Sequence, residues 1–266
     1  MNNFQKEYYE QKSFWDHGYL EDPIEKNRIE EIIKIIPDEV KTILDAGCGN
    51  GSFLNFLKKN NKYDRLTGID FSEEALKYVQ TEKIKGSISR LNFKDIEFDL
   101  ITCLEVLEHL PQDDFRDTIS EIQRVSRKYI IITVPNSEDI EHSLVNCPKC
   151  YCSFNPYFHL RHFDESKLKY LFDNFKPIII KTVGPISIYK KYNKFILDLY
   201  HVFRKNPPTQ TAICPQCGYQ QKEQNKENNA NKKFLPSAYR ILKNIFKIFV
   251  PTEKKHRWLL ALYVKK

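Results

Sequence analysis

The chain has 266 residues, room for one large domain or for a domain carrying an insert. Hydrophobic residues make up 41% and aromatic residues 13%, which excludes general disorder and is enough to build a core. The net charge of +7, from 42 Lys and Arg against 35 Asp and Glu, suits an anionic partner such as nucleic acid, anionic lipid or a phosphorylated substrate, and equally a Lys-rich solvated surface.

Met1–Glu10 is polar with no apolar stretch behind it, and no window reaches the length of a membrane span, so a cytoplasmic protein is expected. Residues 1–39 read as helical: Ile24, Ile29, Ile32, Ile33 and Ile36 recur at near-helical spacing, and Pro37 ends the run. From Lys41 short apolar strands alternate with amphipathic helices. Thr42–Asp45 is a strand, Ser52–Lys59 a helix and Leu66–Asp70 a strand. Ser72 caps a helix with Glu73 and Glu74 in its first turn and Leu76 and Val79 on its apolar face. Phe98–Cys103 is a strand, Asp113–Val125 a helix and Tyr129–Val134 a strand. This alternation predicts a parallel sheet covered on both faces.

After Pro135 the pattern breaks into a Cys-rich loop at 141–157, a helix from Asp164 to Phe172 and a strand at Ile178–Val183. Residues 187–253 read as an excursion holding an aromatic helix, a second Cys pair, the polar run Gln220–Lys233 and another helix. Trp258–Val264 is the last strand. The expected organisation is therefore a core over 1–140 and 158–186, a first cysteine loop at 141–157, the excursion at 187–253 and a final core segment at 254–266.

The first strand ends in Asp45 and turns through Gly47, Gly49 and Gly51 into a helix, at the sheet edge where open α/β folds bind ligands. The next strand ends in Asp70, placed to accept hydrogen bonds from ribose hydroxyls. A pyrophosphate-binding dinucleotide loop needs Gly-x-Gly-x-x-Gly; the spacing here is Gly-x-Gly-x-Gly, after an acid that suits an ammonium group better.

Ile43-Leu-Asp-Ala-Gly-Cys-Gly-Asn-Gly51, Gly68-Ile-Asp70, Phe98–Pro111 and Tyr129–Asn136 together resemble the class I S-adenosylmethionine-dependent methyltransferases over about 41–183, and again at the final strand. The resemblance implies a seven-stranded, mostly parallel, doubly wound sheet with S-adenosylmethionine as cofactor. It implies that Gly47, Gly49 and Gly51 pass under the methionine moiety, that Asp45 and Asp70 belong to the cofactor site with Asp70 on the ribose, and that Phe71 packs near the adenine. Ser87 and Ile88 fall at the adenine edge, where Ser87 departs from the family's usual acid, and Cys103 and Leu104 lie near the transferred methyl.

Glu105-Val-Leu-Glu-His109 follows the fourth strand, and on a helical turn Glu105, Glu108 and His109 share one face. Three roles stand open. The segment is scaffolding, or His109 is a general base for a substrate hydroxyl, or the trio binds Mg²⁺ or another divalent cation. The Glu-x-x-Glu-His arrangement resembles O-methyltransferases of ubiquinone synthesis and small-RNA 2′-O-methyltransferases. The latter carry a later Arg-His segment, matched in part by Leu160-Arg-His-Phe-Asp164, which offers His162 with His159 nearby.

Cys147-Pro-Lys-Cys150 and Cys214-Pro-Gln-Cys217 are two Cys-x-x-Cys units, which together make a four-thiolate structural Zn²⁺ site of the ribbon type, with Cys152 an alternative to Cys150. A redox dithiol is the competing reading. In the excursion, Phe195–Phe203 and the series Ala238, Ile241, Leu242, Ile245, Phe246 and Phe249 form amphipathic helices, read either as a lid on the domain or as a peripheral contact with an anionic membrane.

The expected function is O-methylation of a small-molecule, glycan or lipid-linked substrate, catalysed largely by proximity and orientation. The alternatives are a metal-dependent RNA 2′-O-methyltransferase and a non-catalytic methyltransferase-fold binding protein.

Overall fold

A computed structural model of the protein describes residues 3–16, 22–190, 212–220 and 251–266. Strands β1 (Thr42–Ala46), β2 (Arg65–Asp70), β3 (Glu82–Lys85), β4 (Phe98–Leu104), β5 (Ser126–Pro135), β8 (Phe175–Lys190) and β9 (Thr252–Lys265) form one sheet in the order β3-β2-β1-β4-β5-β9-β8. The first five strands are parallel, and β9 runs antiparallel to both its neighbours. A two-stranded hairpin of β6 (Val145–Asn146) and β7 (Ser153–Phe154) stands apart.

The central strands are mostly apolar because both sheet faces are covered. Ile29 and Ile32 of α3 (Pro23–Ile33) and Phe53, Leu54 and Leu57 of α4 (Ser52–Lys58) cover one face. Ile122 and Val125 of α6 (Gln112–Val125) and Leu168 of α7 (Glu165–Lys169) cover the other. The caps come from side chains: Asp22 accepts from the Ile24 N–H, Ser72 from the Ala75 N–H of α5 (Glu73–Leu76), and Asp164 from the Lys167 N–H.

The structure departs from the sequence reading at four places. The N-terminal stretch is three helices, α1 (Asn3–Tyr9), α2 (Lys12–Trp15) and α3, because its aromatic residues fold back on the domain instead of continuing the isoleucine stripe. Strand β3 carries no apolar pattern, since Glu-Lys-Ile-Lys at an exposed sheet edge needs none. The helix capped by Ser72 stops at Leu76. Strands β8 and β9 run on together past the body of the sheet, with register shifts between Pro177 and Ile179 and between Val183 and Ile186. The helices read at Phe195–Phe203 and Ala238–Phe249, and nearly all of the run Gln220–Lys233, lie outside the described residues, and the membrane reading with them. Among the described residues, no helix is long and apolar enough to cross a membrane.

Candidate active site

Strand order reverses between β1 and β4, and a cleft of about 820 Å³ opens at their carboxyl ends. Asp45, at the end of β1, pairs in register with Thr102 of β4, whose hydroxyl donates to its carboxylate at 2.6 Å. Burial pushes the Asp45 carboxyl up to about 7, against the pull of that hydroxyl. Asp70 closes the loop from the neighbouring strand. One of its oxygens accepts from the Gly49 N–H and the other from the Ser72 N–H, both at 2.9 Å. Gly49 has φ +51, and a Cβ there would stand 2.8 Å from the Trp15 ring, so this position has no room for any side chain.

Of the residues expected to hold a cofactor, Asp45, Gly47, Gly49, Asp70, Phe71, Ser87, Ile88 and Leu104 line the cleft. Two of the expected residues do not line it. Cys103 is fully buried in the core, because β4 directs it away from the cleft, and Leu104 takes the wall position. Gly51 stands outside the wall, where it turns the chain into α4 and packs on Val79.

The sequence reading missed Arg28, Tyr9 and Trp15, which also line the cleft. Arg28 pairs with Glu25 at 2.7 Å, approaches Glu105 at 3.8 Å, donates to the Thr133 hydroxyl at 3.2 Å and lies over the Trp258 ring. Tyr9 packs edge-on against Phe71 and His109. The sequence signal for Tyr9 and Trp15 was the cluster Tyr8-Tyr9…Phe14-Trp15 in an otherwise polar terminus; Arg28 had none.

The acid–histidine segment is not a helix face. Glu105 takes φ +58, and the chain then makes a single 3₁₀ turn over Leu107–His109. Glu105 therefore points toward Arg28, while Glu108 and His109 converge with His159; ligand atoms of these last three lie within 4.8 Å of one another. Of the expected trio, Glu108 and His109 lie together with His159, and Glu105 stands beside them on the cleft wall. His162 is not at this site: it is exposed and paired with Asp164 at 3.4 Å.

Glu108 is 1% exposed, neither of its carboxylate oxygens has a hydrogen-bond partner, and burial with the Glu105 charge drives its carboxyl well above the usual range. Burial also lowers His109 to about 3, with His159 acting in the same direction, so its imidazole is neutral. Glu138 engages His159 Nδ1, which leaves Nε2 for the cluster. The His159 loop is pinned where it belongs by the Leu160 N–H donating to the Glu108 carbonyl at 2.7 Å and by Arg161 donating to the Leu110 carbonyl at 2.6 Å.

The two cysteine loops repeat one fold. The N–H of Tyr151 donates to the Cys147 carbonyl and that of Gly218 to the Cys214 carbonyl, both at 3.0 Å. The N–H of Cys147 donates to the Cys152 carbonyl and that of Cys214 to the Tyr219 carbonyl, both at 2.9 Å. Tyr151 and Gly218 both have positive φ, at +61 and +67. The β6–β7 hairpin frames the first loop and an Ile213–Gln220 bridge the second. Sγ atoms of Cys147, Cys150, Cys214 and Cys217 gather in one cluster, with Cys147–Cys217 and Cys150–Cys214 each 3.6 Å apart. Thiolates around tetrahedral zinc stand about 3.8 Å apart, from a Zn–S bond of about 2.3 Å, so the spacing fits that ion; a disulfide at about 2.05 Å does not fit. Cys152 Sγ lies 3.3 Å from Cys214 and 3.4 Å from Cys150, a fifth thiol at the rim.

A sheet in this order, with β9 as its antiparallel strand, is the class I S-adenosylmethionine-dependent methyltransferase fold. Residues 44–132 match the family described as methyltransferase domain. An uncharacterized protein of Methanocaldococcus jannaschii is 31% identical over 156 residues, 56% of this chain and 65% of its own length. A small RNA 2′-O-methyltransferase of Mus musculus is 29% identical over 44% of this chain and 35% of its own. A ubiquinone biosynthesis O-methyltransferase of Albidiferax ferrireducens is 30% identical over 32% of this chain and 37% of its own. The chain thus spans less than two thirds of each of these relatives. A crystal structure of an S-adenosylmethionine-dependent methyltransferase from Archaeoglobus fulgidus superposes over 98% of both chains with a TM-score of 0.51 at 17% identity, a likeness of fold.

Proposed function

We propose that this protein transfers the methyl group of S-adenosylmethionine to an acceptor oxygen, and that a divalent cation held by Glu108, His109 and His159 places that oxygen. The observation that carries the reading is Glu108, a carboxylate without a hydrogen-bond partner for either oxygen, buried beside two histidines on the wall of the cofactor cleft. A buried carboxylate left in this state costs several kcal/mol unless a cation or proton meets it. Burial holds His109 as neutral imidazole, which is the ligating form, and makes it a poor proton acceptor; this favours the ligand role over the general base. Two imidazoles and one carboxylate suit Mn²⁺ better than Mg²⁺, and such an ion would acidify an acceptor hydroxyl, whose proton leaves to solvent as the methyl moves from sulfur to oxygen.

On the donor side, the cofactor supplies an electrophilic methyl on a sulfonium. Asp45 would hold its ammonium group and Arg28 its carboxylate. Asp70 would accept from its ribose hydroxyls, and Phe71, Ser87 and Ile88 would border its adenine. Leu104 would flank the methyl, and the cleft would contribute chiefly proximity and orientation. Cys147, Cys150, Cys214 and Cys217 hold a structural Zn²⁺ whose four thiolates leave no open position for catalysis. The open cleft with its intact glycine loop speaks against a purely non-catalytic binding role.

The acceptor is a small hydroxylated molecule, a glycan or a lipid-linked molecule. A 2′-hydroxyl of RNA is the second reading, favoured by the convergence of His159 with the Glu108–His109 pair and by the small RNA 2′-O-methyltransferase relative. The test supplies labelled cofactor and Mn²⁺ to zinc-bearing protein, with catechols, glycans and RNA oligonucleotides as acceptors. A methyl ether formed only with Mn²⁺ or Mg²⁺ is the expected product. Methylation at nitrogen or carbon alone, or transfer indifferent to the cation, contradicts the proposal.

A further inference from the structure

The N-terminal segment is the roof of the cofactor cleft. Tyr8, Tyr9, Phe14 and Trp15 line it from above, and Trp15 is in contact with the backbone of Gly49. Polar ties hold the segment down on the domain. The Ser72 hydroxyl donates to the Tyr9 carbonyl at 2.9 Å, and the Glu10 carboxylate accepts from the N–H groups of Glu73 and Glu74, both at 3.0 Å. The side-chain amide of Asn50, in the glycine loop, donates to the Trp15 carbonyl at 3.3 Å. Gln5 reaches the other half of the site by donating to the His109 carbonyl at 3.0 Å.

From outside, the roof is gripped by the cysteine centre. Ile213, next to Cys214, is buried in one cluster with Tyr8, Tyr9, Trp15 and Phe158. Gly218, next to Cys217, lies so close under Phe4 that a Cβ there would stand 2.5 Å from its ring. Gln220 donates to the Gln11 side chain at 2.7 Å. The chain just after the first cysteine loop contributes Phe158, packed edge-on against Tyr8, and then His159 of the acid–histidine cluster. Cys150 and Cys214 are 64 positions apart in sequence, so the thiol cluster fastens two remote chain segments where both meet the roof.

We propose that the four-cysteine centre anchors the roof, so that metal binding there and S-adenosylmethionine binding in the cleft are thermodynamically coupled. The proposal rests on the structural-zinc reading above. With the metal bound, the 212–220 loop is closed and presents Ile213 and Gly218 to Tyr8 and Phe4, which holds Tyr9 and Trp15 over the glycine loop. Without it, closing that loop must be driven by a few side-chain contacts alone, and the roof loses its outer support. Coupling of this kind is reciprocal: the cofactor holds the roof closed and so slows loss of the metal.

The experiment uses the full chain, zinc-loaded and zinc-stripped, with metal content measured on each sample and folding followed by circular dichroism. Calorimetric titration with S-adenosylmethionine is expected to show Kd weakened on the order of tenfold in the stripped protein. Reciprocally, saturating cofactor is expected to slow zinc transfer to a chromogenic chelator by a similar factor. The variant Phe4→Ala/Ile213→Ala keeps all the cysteines and cuts the link. It is expected to bind zinc normally, to bind the cofactor weakly even when loaded, and to lose little more on stripping. Protein that never binds zinc overturns the metal reading and the coupling together. Protein that binds zinc but shows the same cofactor Kd loaded and stripped overturns the coupling alone. Should stripped wild type unfold, the Phe4→Ala/Ile213→Ala protein decides: loaded with zinc, an unchanged cofactor Kd contradicts the proposal.

Discussion

The two sides of the cleft are built on opposite principles. On the donor side the polar groups are met within the protein: Asp70 takes two backbone N–H groups, Asp45 takes the Thr102 hydroxyl, and Arg28 lies between Glu25 and Glu105. On the acceptor side no hydrogen bond reaches either oxygen of Glu108; His109 Nε2 stands 3.7 Å from its Oε1 and His159 lies beside them. A satisfied network is a finished receptor, shaped to one ligand's outline. An unsatisfied buried carboxylate is a site still awaiting a charge. This difference is why the cofactor can be read from the loop, whereas the acceptor has to be sought through the cation.

The sharpest way to break the comparison is Glu108→Gln. Loss of a ligand to a Lewis-acidic ion is worth several kcal/mol, so turnover is expected to fall by about 10³-fold with folding retained. An active Glu108→Gln enzyme would make this side as satisfied as the other.

The next largest effect is at Asp45. Its folded pKa of about 7 lies above the ordinary 3.8, so between those values the folded protein holds a proton that the unfolded chain lacks. Stability of the cofactor-free protein therefore falls as pH rises from about 4 to about 7. The ammonium group needs the ionised form, so cofactor affinity is expected to rise about tenfold per pH unit up to about 7 and then level off. Asp45→Asn should flatten that profile and weaken binding by about 10²-fold, measured by calorimetry from pH 5.5 to 8.5.

Glu138→Gln follows. Because Glu138 engages His159 Nδ1 and orients the ring, its loss is expected to weaken Mn²⁺ binding about 10- to 100-fold while leaving cofactor affinity unchanged. The smallest effect belongs to Ser87→Ala. Ser87 shares its hydroxyl with Ser89 at 2.8 Å at the exposed rim, so cofactor affinity should move by about threefold or less.

The same contrast explains what the sequence disclosed. The glycine loop, Asp70 and the strand–helix alternation are local patterns, since each depends on neighbours in the chain; six of the seven strands are legible from them, and the count of seven comes from the family resemblance. Glu108 and His109 are visible as a motif, and His159 only as a neighbour of the Arg-His segment. A helical spacing was assumed where the positive φ of Glu105 swings that residue out toward Arg28, and His159 joins from fifty residues on. Arg28, Tyr9 and Trp15 carried almost no signal, because their meaning comes from folding a polar terminus back over the loop. Strand β3 was missed for the opposite reason: an edge strand needs backbone partners and no apolar face. The cysteine pairs announced a four-thiol site from spacing alone, but not the roof that they touch.

The central claim is that the acceptor side holds a divalent cation, and titration of zinc-loaded protein with Mn²⁺ followed by electron paramagnetic resonance tests it most directly. One Mn²⁺ is expected to bind per chain in wild type, with binding abolished in Glu108→Ala and broadened lines when a hydroxyl-bearing acceptor is added. Free Mn²⁺ signal at full amplitude throughout the titration, with methyl transfer proceeding in its absence, would contradict the account.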